Sequence, residues 1–215
     1  MNCFGRFSLL FAALALPLSQ ANAVNWTEAA VLPPDYLYSG ELSGDGATPT
    51  PIFFSEGHNL VEGTMGFDGV NPMDADVWTF TIAAGYYLTG INLLSYSDNG
   101  AGKPVGSINS FMAIDDATSI NMSDPSNHLS NGLWNEQLDG FGATYTDLMA
   151  ILDAGPQFGG DGFNGPLGPG DYTFWVQEGT DQISYCIDFV LTPVPEPGSF
   201  MLLGLAGLLA LRRRR

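Results

Sequence analysis

Between residues 24 and 193, apolar and polar positions alternate over short distances, and no long segment keeps a helical period. Short runs rich in Val, Ile, Phe, Trp, Tyr and Thr are punctuated by Gly, Pro, Asn and Asp, the pattern of an all-β domain. The clearest run is Asp76–Ile82. Asp76, Trp78, Phe80 and Ile82 share one face, and Val77, Thr79 and Thr81 share the other. The three apolar residues of the first face are expected to point inward. Ala84-Gly85 makes a turn, and a strand follows over Leu88–Tyr96. There Leu88, Ile91, Leu93 and Leu94 break strict alternation, which predicts burial on both faces or a bulge.

Upstream, Asp35–Leu42 reads as an opening strand or ordered arm. Thr48-Pro49-Thr50-Pro51 enforces extended chain. Ile52–Phe54 and Asn59–Met65 read as short strands around a turn at Glu56-Gly57-His58-Asn59. Downstream, Phe111–Asp115 is a shorter strand. Asp116–Phe141 reads as an excursion, with Asn127, His128, Asn131 and Gly132 near a surface turn. Thr146–Leu152 is the best local helix, with Thr146 as N-cap and Leu148, Met149, Ile151 and Leu152 as apolar cover. Asp153–Gly170 holds seven glycines and three prolines and is therefore a loop. Two strong strands close the domain, Tyr172–Gln177 and Ile183–Thr192, and read as an antiparallel hairpin across Glu178–Asp181. In the second, Ile183, Tyr185, Ile187, Phe189 and Leu191 line one face. The expected architecture is a single β-sandwich, jelly-roll-like in its packing, over residues 24–193.

Both ends of the chain depart from this pattern. Residues 1–23 carry Arg6, an apolar run and the small-residue site Ala21-Asn22-Ala23, the layout of a secretory signal peptide cut after Ala23. Residues 194–215 hold Pro195-Glu196-Pro197, an apolar run to Leu211 and the block Arg212, Arg213, Arg214 and Arg215. A single transmembrane helix is expected over residues 199–211. It is short against the roughly 20 residues that a bilayer usually asks for. Consecutive arginines beside it belong on the cytoplasmic side. This order of Pro-Glu-Pro, apolar helix and terminal arginines resembles the PEP-CTERM sorting signal of Gram-negative bacteria. The resemblance implies export by the Sec machinery and transient residence in the inner membrane. It further implies recognition by an exosortase, cleavage near Pro195-Glu196-Pro197 and transfer to the outer surface or extracellular space.

Processing sharpens the charge picture. Five of the six basic residues lie in the two sorting segments, which leaves Lys103 against the 23 acids from Glu28 to Glu196, a net charge near −22. Such a body excludes nucleic acid, whose phosphates call for Lys and Arg, and suits a soluble surface protein. After signal removal Cys186 is the one cysteine left, so no intramolecular disulfide forms. Cys186 alternates within an apolar strand and reads as a buried, inert thiol.

A second resemblance rests on Asp76-x-Trp78-x-Phe80-x-Ile82-x-x-Gly85 and on Leu167-Gly168-Pro169-Gly170-Asp171-Tyr172-Thr173-Phe174. Together with the final apolar strand, these look like the bacterial pre-peptidase C-terminal domain, a small β-sandwich appended to secreted proteins.

Motifs for catalysis are missing. The chain has no H-E-x-x-H, G-x-S-x-G or P-loop pattern. Its two histidines, His58 and His128, are read as satisfied surface groups. The expected function is therefore non-enzymatic: a structural or adhesive component of extracellular polysaccharide or biofilm matrix. A carbohydrate-binding module and a secreted hydrolase are the alternatives. Calcium is the one cofactor the composition suggests, through hard oxygen ligands at Asp74, Asp76 and Asp161.

Overall fold

The computed structural model describes residues 25–28, 40–66, 74–98, 110–134, 146–179 and 181–194. The expected signal peptide with Ala21 and Ala23 lies outside the described residues. So does the sorting segment from Pro195, Glu196 and Pro197 to Arg212–Arg215, and so do residues 35–39 of the expected arm. Among the described residues, no helix is long and apolar enough to cross a membrane.

The strands are β1 (Asn25–Thr27), β2 (Thr50–Pro51), β3 (Gly57–Gly66), β4 (Ala75–Ile82) and β5 (Tyr86–Asp98), followed by β6 (Ser110–Asp115), β7 (Ser130–Trp134), β8 (Thr146–Asp147), β9 (Gly170–Gln177) and β10 (Gln182–Pro193). They form two five-stranded sheets. One has the order β1-β3-β10-β5-β8 and the other β2-β4-β9-β6-β7. Stripped of β1 and β2, the orders are β3-β10-β5-β8 and β4-β9-β6-β7, the eight-strand arrangement of a jelly roll. Every connection from β3 to β10 changes sheet except β6–β7, which are antiparallel neighbours.

Alternation explains the core. Trp78, Phe80 and Ile82 of β4 are buried against Ile183, Tyr185, Ile187, Phe189 and Leu191 of β10, as the pattern requires. Rings dominate the centre: Trp78 lies 5.1 Å from Phe174 and 6.0 Å from Phe189, centroid to centroid. The irregular spacing in β5 is a double bulge. Its register against β10 skips Leu94 and Thr89, so Leu88, Ile91 and Leu93 all reach the core.

Four expectations require correction. The strands β9 and β10 are not a hairpin: β9 lies between β4 and β6, whereas β10 lies between β3 and β5 in the other sheet. Both are buried along most of their length, so each needs hydrogen-bonded neighbours on two sides. A four-residue connection serves a sandwich corner as well as a hairpin, and length alone does not separate them. The helix α1 (Leu148–Asp153) is capped by Asp147, whose Oδ1 accepts from Ala150 N at 2.9 Å, and not by Thr146. Ile52–Phe54 is not a strand. Ile52 N donates to Thr79 O at 2.8 Å, then Phe54 turns inward onto Phe80 and Phe189. Gly57 begins β3 with φ 92°, so His58 and Asn59 belong to the strand.

The excursion over Asp116–Phe141 also differs from expectation. It contains a 3-10 turn at Pro125–Asn127 and the strand β7, whose Asn131 and Gly132 are buried. Ser-Asn-Gly has poor strand propensity. The Asn131 amide overrides it by donating to Pro125 O and Gly159 O while its oxygen accepts from Phe158 N. Residues before β7 cover the outer face of the second sheet, where Val77, Ala113, Ile120 and Trp175 form a separate small core. His128 is part of this cover. It is fully buried, bonded through Nε2 to Asn121 O at 2.9 Å and edge-on to Trp175.

Candidate functional site

The outer face of the first sheet offers a recess. Because Val61, Met65, Ile183, Tyr185 and Ile187 point inward, their neighbours on β3 and β10 point out. Register then aligns Glu62, Cys186 and Ser95 in one row, and Thr64, Ser184 and Ser97 in the next. With Thr27 of β1 they line a groove of about 230 Å³. Thr27 Oγ1 donates to Glu62 Oε2 at 3.2 Å along its wall. Further along the face, His58 Nδ1 meets Asp188 Oδ2 at 2.7 Å, with His58 largely exposed and Asp188 buried. The groove is lined by several hydroxyls and by the carboxylates of Glu28 and Glu62, a set of donors and acceptors of the kind that pairs with a polyol surface.

Chemistry at Cys186 is suppressed. Burial first, then the nearby Glu62 carboxylate, pushes the thiol up to about 11. The thiolate is the reactive form. We therefore expect native Cys186 to react with a disulfide reagent at pH 8 about a hundred-fold more slowly than the urea-unfolded chain, since its thiolate fraction is that much smaller. Equal rates in the two states would contradict the burial. The folded-state value is raised, so this group's contribution to stability is complete below the unfolded thiol's range. It is lost as pH rises through about 11.

The carboxylates at one end of the sandwich have structural partners. Tyr185 Oη donates to Asp76 Oδ2 at 2.6 Å. Burial first, then the charges of Asp76, Glu28 and Asp74, raises the tyrosine well above its ordinary value. Glu28 accepts from Leu42 N at 2.6 Å and from Thr64 N at 2.7 Å, and so ties the segment after β1 onto β3. Ser110 Oγ donates to Glu178 Oε2 at 3.0 Å and bonds Tyr96 Oη at 2.8 Å. Asp74 and Asp76 are buried in this region, whereas Asp161 is exposed in the loop after α1, with its amide bonded to His128 O. The structure does not bring the three together. Among the described residues, no three His, Cys, Asp or Glu side chains stand close enough to hold a metal ion. Glu28 and Glu178 escape sequence reasoning because neither lies on a periodic stripe, and nothing local marks a carboxylate that will accept backbone amides.

The last described residues define how the chain leaves the fold. Val194 N donates to Gly85 O at 2.7 Å, so the domain is pinned up to the residue before Pro195-Glu196-Pro197.

Comparison with known proteins bears on this exit point. Residues 193–215 match the PEP-CTERM protein-sorting motif. The chain thus carries the segment of an exported protein that an exosortase processes, and the apolar run within it fits a terminal transmembrane segment. No curated protein matches the chain. Among solved structures, the chain is similar to the pre-peptidase C-terminal domain of a collagenase from Bacillus anthracis. The identity is 14%, the TM-score 0.32, and the match covers 66% of this chain and 93% of that one.

Proposed function

We propose that the sandwich is a non-enzymatic structural or adhesive component of an extracellular polysaccharide matrix, held briefly in the inner membrane and then cut beside Pro195-Glu196-Pro197 and left at the outer surface. The observation that carries this reading is the exit geometry. Because β10 ends at Pro193 and Val194, the last of the described residues, is bonded to Gly85, a cut just beyond it frees the body without removing a described strand. The acidic body, near −21 once both sorting segments are gone, stays soluble outside the cell. Intact-mass analysis of the surface form is the test. The expected mass ends between residues 194 and 198 and lacks Arg212–Arg215. A form that keeps the four arginines would make the tail a permanent anchor.

The alternative of a carbohydrate-binding module is favoured by one observation, the hydroxyl rows of the groove. Under that reading, a Thr64→Ala, Ser184→Ala double variant loses retention on the producing cell's polysaccharide while keeping its melting temperature. Unchanged retention would remove the groove from consideration.

A further inference from the structure

Four large apolar side chains are exposed among the described residues: Phe53 at 83%, Phe158 at 45%, Tyr87 at 40% and Val194 at 36%. Three of them share one end of the sandwich. The strand β2 runs parallel to β4, with Pro51 opposite Thr79, and carries Phe53 on toward the Ile82 end. Tyr87 lies opposite Thr192, and Val194 is bonded to the turn at Gly85. Exposed Ala83, Ala84 and Pro193 lie between them. Phe158 is elsewhere, against Phe111. The apolar end is therefore the end from which the chain departs toward its membrane segment.

We propose that, while the tail is still inserted, this end of the sandwich rests on the phospholipid interface, with Phe53, Tyr87 and Val194 as its contacts. The proposal rests on the reading of residues 200–211 as a membrane-inserted segment. Reach supports it. Five residues, Pro195–Ser199, separate Val194 from the apolar run, and fully extended they span about 17 Å. The headgroup layer on each side of the hydrocarbon takes up roughly 5–8 Å of that. The end of the domain is thus confined to a gap of about 10 Å above the headgroups, where a short tether raises its effective concentration to roughly the millimolar range. The Tyr87 ring suits that depth because its hydroxyl meets water while its body meets lipid, and Phe53 and Val194 add apolar contact beside it. Glu56 and Asp171 lie at the same end, held by Tyr86 and Thr81, which favours a zwitterionic surface over an anionic one. Once the tail is cut the tether is gone, and the contact is too small to hold the body. The same geometry keeps the Pro-Glu-Pro site at the level where a membrane enzyme works.

The experiment uses the signal-free full chain, with its tail, in phosphatidylethanolamine–phosphatidylcholine nanodiscs and in a Cys186→Ser background. An environment-sensitive fluorophore is attached at Phe53→Cys or, at the opposite end, at Gly179→Cys. Strand β4 puts these sites about 26 Å apart along the sandwich. A quencher fixed to the lipid headgroup is expected to quench the label at 53 several-fold more than the label at 179. Unquenched labels at both sites, with Arg212–Arg215 on the far side of the bilayer, would overturn the proposal and leave the sorting reading standing. Equal quenching at both sites would overturn it as well, because the body would then lie on its side. A tail that fails to insert would overturn both. Phe53 is exposed, so its replacement leaves the fold intact, and an unchanged melting temperature verifies this.

Discussion

Trp78→Ala is expected to cost about 3–5 kcal/mol of folding free energy, the range for removing a large aromatic from a packed core. A domain of this size has roughly 5–15 kcal/mol in total, so the variant is close to the edge of folding at growth temperature. The reason is position. Trp78 is fully buried, with Phe174, Tyr185 and Phe189 around it at centroid distances of 5.1, 6.4 and 6.0 Å. Phe174 belongs to its own sheet, whereas Tyr185 and Phe189 belong to the opposite one, so the indole is one of the rings that join the two layers. No rearrangement of β-strand backbone can fill the space it leaves. Trp78→Phe separates volume from chemistry. The indole Nε1 is buried and has no hydrogen-bond partner among the described residues, so its loss removes a desolvated donor while most of the ring contact survives. The phenylalanine variant should lose less than half of what the alanine variant loses. Urea unfolding followed by far-ultraviolet circular dichroism measures both. A loss below about 1 kcal/mol for Trp78→Ala would mean that this residue is not in the core.

Much of the sandwich is legible in the alternation, and the parts that are not have a common cause. The inward faces of β4 and β10 follow directly from Trp78-x-Phe80-x-Ile82 and Ile183-x-Tyr185-x-Ile187-x-Phe189-x-Leu191. The bulge in β5 follows from the adjacent Leu93 and Leu94. These are local signals, and period-two burial is enough to read them. What the pattern does not carry is pairing. The corner at Glu178–Asp181 has the length of a hairpin loop, and only the full set of sheet neighbours shows that it crosses the sandwich. Strand β7 is invisible for a different reason. Its Ser130, Asn131 and Gly132 disfavour strand locally, and its stability is supplied by Pro125 six residues before Asn131 and by loop residues Phe158 and Gly159 that are distant in sequence. His128 follows the same logic, buried because the excursion folds back over Trp175. The groove on the outer face of the first sheet depends on register between β3, β10 and β5, which no single strand encodes. The sorting segment is the opposite case. Its three features are contiguous, so the sequence alone carries it.

Gly66→Ala tests the crossing at that corner. Gly66 closes β3 with φ 132°, a conformation that costs an L-residue about 1–2 kcal/mol. It exchanges two backbone hydrogen bonds with Asp74, at 3.1 and 2.8 Å, and lies opposite Gln182 at the start of β10. A Cβ at this position would stand 1.8 Å from the Asp181 carbonyl oxygen and 2.8 Å from its carbon. Both are backbone atoms of the corner and cannot swing aside as a side chain would. The methyl group therefore has to push β3 away from the segment that carries the chain from one sheet to the other. We expect a loss of more than about 3 kcal/mol, seen as a fall in Tm of roughly 6–12 °C for a domain of this length. Gly85→Ala is the matched control. Its φ is 90°, but a Cβ there meets nothing within 4 Å, so it bears the conformational term alone, about 1 kcal/mol. If the two variants melt together, the close approach of Asp181 to β3 is absent.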